Sequence, residues 1–310
     1  MLTLNHFTMD KYHLTLNDVL NNRFSIICKE VSTYIINDIS QKEKLDTGKN
    51  DHQLQSDYDK YMMDLLDILF NMQECLSSID HAYIFMRHFY SKEHFEKYEI
   101  STIDYYLYHY DVLCYKISTL KDLYFKLVNF LYDLKLEDKS CNWKAIEKRE
   151  TIINNPFLFH LLRENHNNLS IIENQRNRSA HEGKVEHEAF KEISPYVLLT
   201  MYAETKFTNV DKELMITNGS YLESKLKKSQ SIFFKEVEIY RYNSFIFTRC
   251  ILCSLAEKFI QTINSKTKNK YLDIIKKAEL QIQKNRTDKN CNINECSNNL
   301  KIKNGYTCSI

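Results

Sequence analysis

Apolar side chains recur along this chain at three- and four-residue intervals, the spacing that gathers them on one face of a helix with 3.6 residues per turn. The clearest run is Ile103, Leu107, Tyr110, Cys114, Ile117, Leu120, Tyr124, Leu127, Leu131 and Leu134. Its intervals never leave three or four, so it predicts one long helix over 101–136 with one buried face. Looser versions predict helices over 16–41, 54–77, 81–91, 143–154, 157–163, 167–182, 196–205, 222–264 and 268–284. Only two prolines, Pro156 and Pro195, and four glycines interrupt the chain, and both prolines fall between periodic segments. The expected fold class is all-α.

Breaks are expected at 42–51 (KEKLDTGKND) and at 205–220, which holds Asn218-Gly219. From 285 onward the chain is Asn, Lys, Ser and Cys with little apolar content, a composition that predicts disorder. The resulting division is an N-terminal helical region 1–98, a helical core 99–265, a C-terminal helix 266–284 and a polar tail 285–310.

Composition narrows the function classes. The 310 residues are 43% hydrophobic and 27% charged, enough for a sizeable core. Lys and Arg number 42 against 41 acidic residues, so no overall field draws a polyanion, and contact with nucleic acid would need a local basic patch. Four glycines cannot build a phosphate-cradling loop, which excludes the P-loop and Rossmann readings. No G-x-S-x-G elbow or H-E-x-x-H helix occurs. Nine cysteines without a secretory start point to reduced thiols in a cytoplasm. The most apolar window, 245–256, is broken by Arg249 and falls short of the ~20 residues that cross a bilayer; no membrane partner is expected.

Arginine is scarce, with nine in all, yet Arg176 and Arg178 fall together in QRNRSAHEG, residues 175–183. On a helix over 167–182, Leu169, Ile172 and Ala180 lie on one side with Arg176 in line with them. Such a guanidinium must meet a carboxylate, a partner subunit or an anionic ligand, because an unpaired buried charge costs several kcal/mol. Asn177 and His181 stack four residues apart on the flank, and Gly183 offers a left-handed cap that ends the helix. Histidine can move a proton to or from a ribose or leaving oxygen, arginine matches phosphate oxygens, and asparagine can orient either. Arg176 and His181 are ~140° apart on a straight helix, so one copy converges on a phosphate awkwardly and two copies across a two-fold axis would do so better.

RNRSAH resembles the R-N-x-x-x-H form of the R-x4-6-H signature of HEPN-superfamily proteins, more loosely their Cthe2314-like or LA2681-like branches. The resemblance implies an all-α HEPN-like helical bundle with additional N- and C-terminal helices. It also implies a homodimer with a composite active site and metal-independent cleavage of RNA, in toxins or antiphage-defence effectors that an antitoxin or regulatory protein can control. Carried over by position, Arg176 holds phosphate, Asn177 assists and His181 is the acid/base, with Arg178 and Lys184 as substrate-binding cations and no cofactor. Gln175 stands where some superfamily forms carry a basic residue, which leaves Glu173 without an assigned role. The competing reading is a non-catalytic helical module binding RNA, a nucleotide or a protein.

Chance expectation for R-N-x-x-x-H is about 0.03, given 9 Arg, 28 Asn and 11 His, whereas each R-x-H spacing without the Asn is expected about 0.3 times. One such decoy, Arg87 with His94, reads as a solvated helix end because SKEH looks like a turn or a new helix start. Cys250 and Cys253 read as core packing. Cys291, Cys296 and Cys308 offer only loose spacing for zinc. His181, His187, Glu186 and Glu188 form a conceivable metal set, with a solvated acidic turn as its bland counterpart. Lys126, Lys135, Lys191, Lys227 and Lys228 are candidates for basic surface near the motif.

Overall fold

The computed structural model describes residues 14–45, 55–98, 100–183, 185–193 and 209–289. These form α1 (Leu16–Leu20), α2 (Arg23–Leu45), α3 (Asp57–His88), α4 (Lys92–Phe95), α5 (Thr102–Tyr132) and α6 (Trp143–Glu147). After them come α7 (Glu150–Ile153), α8 (Pro156–Asn168), α9 (Ser170–Glu182), α10 (Glu188–Lys191), α11 (Asn209–Lys266) and α12 (Leu272–Lys289). No strand occurs among the described residues, so the protein is all-α. None of these helices is long and apolar enough to cross a membrane.

Three of the helix starts share one local device. Ser or Thr stands before the first turn and Asp three residues on, each side chain bonding the other's backbone N–H. Thr15 and Asp18 do this for α1, Ser56 and Asp59 for α3, and Ser101 and Asp104 for α5. Helix α5 is the predicted long helix, and nine of the ten residues in its stripe are buried, Leu107 being the exception. It ends at Tyr132 because Asp133 and Lys135 take positive φ, 52° and 55°. Asn129 then holds the returning chain, bonding the Leu136 carbonyl at 2.9 Å and its N–H at 3.0 Å.

Several boundaries differ from the sequence expectation. The helices expected over 54–77 and 81–91 are one helix, α3, because Ser78 satisfies its own hydroxyl on the Glu74 carbonyl at 2.8 Å and does not divert the backbone. The break expected over 205–220 is helical from Asn209, straight through Asn218-Gly219. An interior Gly costs only about 1 kcal/mol, which a 58-residue helix absorbs. The expected first helix is instead split at Asn22, whose side chain bonds the Val19 carbonyl and Ser25. The last helix runs to Lys289 rather than 284. The helix expected over 196–205 and the cysteines of the tail lie outside the described residues.

The chain forms two compact units, each discontinuous in sequence: Met1–Gln73, Lys121–His166 and Phe245–Ile310 in the first, Glu74–Leu120 and Asn167–Ser244 in the second. Residues 99–265 thus contribute to both. In the first unit, Phe24 packs on Phe259 with ring centroids 4.5 Å apart, and the buried Tyr124 hydroxyl meets that of Thr248 at 2.6 Å. Its most buried charge is Asp59, at 0% exposure, which accepts from Ser56, Lys270 and Tyr271. Burial alone would push that carboxyl's pKa up, but these hydrogen bonds outweigh it and hold it at about 2. In the second unit the buried rings of Tyr106, Tyr110, Phe190 and Phe233 surround His187.

Candidate functional site

The stretch singled out in the sequence forms the C-terminal half of α9, in the second unit. The helix ends where predicted: Gly183 is left-handed, φ 64°, and its N–H returns to the Ser179 carbonyl at 3.0 Å. A Cβ added there would meet nothing within 4 Å, so glycine is needed for the backbone angle and not for space.

The face of α9 expected to be buried is so at its start, at Leu169 and Ile172, and departs from expectation further along. Ile172 and Gln175 are buried, Arg176 is half-buried and Ala180 is exposed. Gln175 can occupy the apolar side because its amide is satisfied by the backbone beyond the helix. With its oxygen and nitrogen assigned by their partners, it donates to the Glu186 carbonyl and accepts from the Glu186 N–H, both at 3.1 Å. Arg178 ties the same residue from outside, donating to the Glu186 carboxylate at 2.8 Å with Glu182 at 3.8 Å. One position further, His187 caps α10 by accepting from the Ala189 N–H at its Nδ1, 3.1 Å, which leaves the proton on Nε2 facing Glu236 at 3.4 Å. The hydrogen bond from His187 outweighs burial and holds the Glu236 carboxyl below its usual range.

Gln175, Arg178 and His187 thus fix the turn that terminates the motif. Sequence reasoning treated Gln175 only as a departure from the superfamily pattern and left His187 in a metal set. The structure separates that set: His187 is buried against Glu236, Glu186 is bound to Arg178, and no group of three potential metal ligands forms among the described residues. The solvated acidic turn is corrected with it, since residues 186 and 187 are anchored. Arg178, expected at the substrate, spans this turn and is not among the residues lining the concavity. Lys184 lies outside the described residues.

Arg176, Asn177 and His181 line one open concavity of about 580 Å³. Ser179 and Ala180 complete its α9 side, and Asp111, Val112, Tyr115 and Lys116 of α5 form the other. At 100° per residue the lining positions of α9 span roughly 200° of its circumference, so this is a shallow trough around the helix end and not a hole into which all three side chains aim. Arg176 lies 5.7 Å from the Tyr115 ring centroid and reaches the Ser118 hydroxyl at 3.4 Å. A cation over a ring face is stabilised without being neutralised. No described carboxylate lies within ion-pair reach of Arg176, and no described residue hydrogen-bonds the exposed His181 imidazole.

Lys116, Tyr115 and the buried Ser118 were missed because nothing in the sequence pairs this side of α5 with α9. Three of the five lysines named as candidate surface are engaged elsewhere: Lys126 with Asp138 at 2.9 Å, Lys191 with Glu188 at 3.3 Å and Lys227 with Glu223 at 3.1 Å. Arg87 and His94 sit on different helices, α3 and α4, with Arg87 over the Phe234 ring at 5.2 Å. Cys250 is buried and Cys253 half-buried within α11, where they pack as small apolar residues.

The family described as Cthe2314-like HEPN matches residues 61–244 of this chain. No curated protein and no solved structure matches it.

Proposed function

The chain belongs to the Cthe2314-like HEPN family, and from that premise we propose that it is a metal-independent endoribonuclease with its active site on α9. The observation that carries the reading is the sharing of one trough by Arg176, Asn177 and His181, with the arginine left without a carboxylate among the described residues. In this reading His181 takes the proton of a ribose 2′-hydroxyl, or returns one to the leaving 5′-oxygen. The 2′-oxygen forms its bond to phosphorus as the bond to the 5′-oxygen breaks, leaving a cyclic phosphate on one fragment and a 5′-hydroxyl on the other. Arg176 stabilises the charge that builds on the non-bridging oxygens. Asn177 orients the ribose or the imidazole. Arg178, bound to Glu186 and Glu182, acts as the brace of the turn.

A second copy completes the site in this reading. The trough spreads Arg176 and His181 around one helix, and a two-fold mate supplies the groups that one copy leaves apart. The exposed apolar side chain of Ile171, beside the motif, suits such a contact. The setting, a cytoplasmic toxin or antiphage-defence effector under the control of an antitoxin or regulatory protein, rests on the family alone.

The test is incubation of purified protein with RNA in EDTA, beside His181→Ala and Arg176→Ala forms. Cleavage by the native protein is expected to fall ~100- to 10,000-fold in each variant. Mixing the two inactive variants should restore part of the activity if Arg176 and His181 come from different protomers. Intact RNA in every lane, with retained binding, would support the competing module that holds RNA without turnover. That alternative is favoured by one observation: no described residue orients the His181 imidazole.

A further inference from the structure

Helix α5 carries aromatic rings on its exposed side well beyond the trough. Tyr105, Tyr108, Val112, Tyr115 and Lys116 recur at helical spacing, so they share one flank that runs without interruption to Arg176. Rings from α3 extend it. Phe85 lies 5.5 Å from His109 and 5.4 Å from Phe89, and His109 lies 4.7 Å from Tyr105 and 5.2 Å from Tyr108. The Tyr105 hydroxyl donates to the Phe85 carbonyl at 3.1 Å, which fixes the two helices at this level. Large rings in a core would be sealed, yet Phe85 is 41% exposed, Phe89 58% and Tyr108 67%. An exposed apolar strip of this kind marks a binding surface.

We propose that this strip is a base-stacking track for single-stranded RNA, leading the strand into the trough; the inference rests on the reading of that trough as an RNA-cleaving site. Three observations favour this occupant. The strip is made of rings and imidazoles, whose flat faces accept any base. It is continuous with the trough that holds Arg176 and Lys116, where phosphates would sit. Exposed His88 closes the last turn of α3, three residues after Phe85. From residue 105 to 116 the helix rises about 16 Å, room for about three to five stacked nucleotides.

The test uses the full chain carrying His181→Ala, so that RNA stays intact, and fluorescence anisotropy with a labelled eight-nucleotide single strand. Phe89→Ala with Tyr108→Ala should weaken binding about tenfold or more per ring removed. Phe89→Tyr, which keeps a ring, should leave it unchanged. Tyr108→Leu keeps apolar area but removes the ring, so it should weaken binding nearly as much as alanine. Unchanged affinity in the double variant, or full retention with Tyr108→Leu, would overturn the inference. So would light scattering that shows the double variant losing its dimer, because the strip would then be a contact between copies. In an otherwise native chain, a dinucleotide too short to reach the strip should be cut at the native rate while a longer strand is cut less efficiently. Cleavage of both at native rates sinks the track alone, whereas ring-dependent binding without any cleavage keeps the track and sinks the nuclease reading.

Discussion

The polar side chains around Asp59 and those at the end of α9 show two opposite uses of charge. Asp59 is fully buried and every group near it answers another: Ser56 caps α3 through it, and Lys270 and Tyr271 donate to it. Arg23, in the same unit, holds Glu257 and Glu279. At the end of α9, Arg176 has a ring face and one long contact to Ser118, and His181 stands exposed. A compensated buried charge explains itself as structure. A half-buried cation that lines an open concavity, with no described carboxylate in ion-pair reach, leaves room for an anion from outside.

The contrast is broken most severely if the α9 residues prove structural. His181→Ala and Arg176→Ala should each lower RNA cleavage ~100-fold or more while leaving the urea midpoint little changed, since His181 is exposed and Arg176 is only half-buried with no ion pair among the described residues to lose, and such substitutions shift stability by about 1 kcal/mol or less. Arg176→Lys should not restore the rate, because a point charge cannot reproduce the planar fork. A variant as inactive as these but also strongly destabilised would place Arg176 with Asp59.

Asp59→Ala should do the reverse, costing about 3 kcal/mol in urea denaturation with the cleavage rate per folded molecule unchanged. The same carboxyl gives a pH signature. Its folded pKa of about 2 lies below the ordinary 3.8, so its contribution is present above pH 3.8 and is lost as pH falls towards 2. That loss is worth about 2 kcal/mol and should vanish from the acid titration of Asp59→Asn. An unaltered acid profile would remove Asp59 from the account of stability.

Between these extremes lie the residues that hold the motif's end in place. Gln175→Ala removes the buried amide's two bonds to the Glu186 backbone and should cost about 1 to 2 kcal/mol, with faster hydrogen exchange at the Glu186 amide. Arg178→Ala removes a solvent-accessible ion pair and should lower the urea midpoint less than Gln175→Ala does. If Arg178→Ala instead abolished RNA binding, the arginine would belong to the substrate and not to the turn.

What the sequence made legible follows from range. The stripe of α5 and the left-handed stop at Gly183 depend on neighbours within a turn, and both appear as expected. The three Asp-type helix starts are equally local and were open to the same reasoning. Leu169 and Ile172 are buried as expected, but the later half of α9 departs from its pattern because Gln175 is buried by bonding a backbone eleven residues away, around a turn no periodicity describes. Arg178 looked free for a ligand because Glu186, its partner, lies past the same turn. Tyr115, Ser118 and Lys116 were invisible as site residues since only tertiary packing sets the flank of α5 beside α9.

The most direct measurement is the chemistry of the RNA ends produced in EDTA, read by mass spectrometry. Acid–base work by His181 with the 2′-oxygen as nucleophile predicts 2′,3′-cyclic phosphate and 5′-hydroxyl ends that disappear with His181→Ala. Ends carrying 5′-phosphate and 3′-hydroxyl, or cyclic ends that persist in that variant, would contradict it.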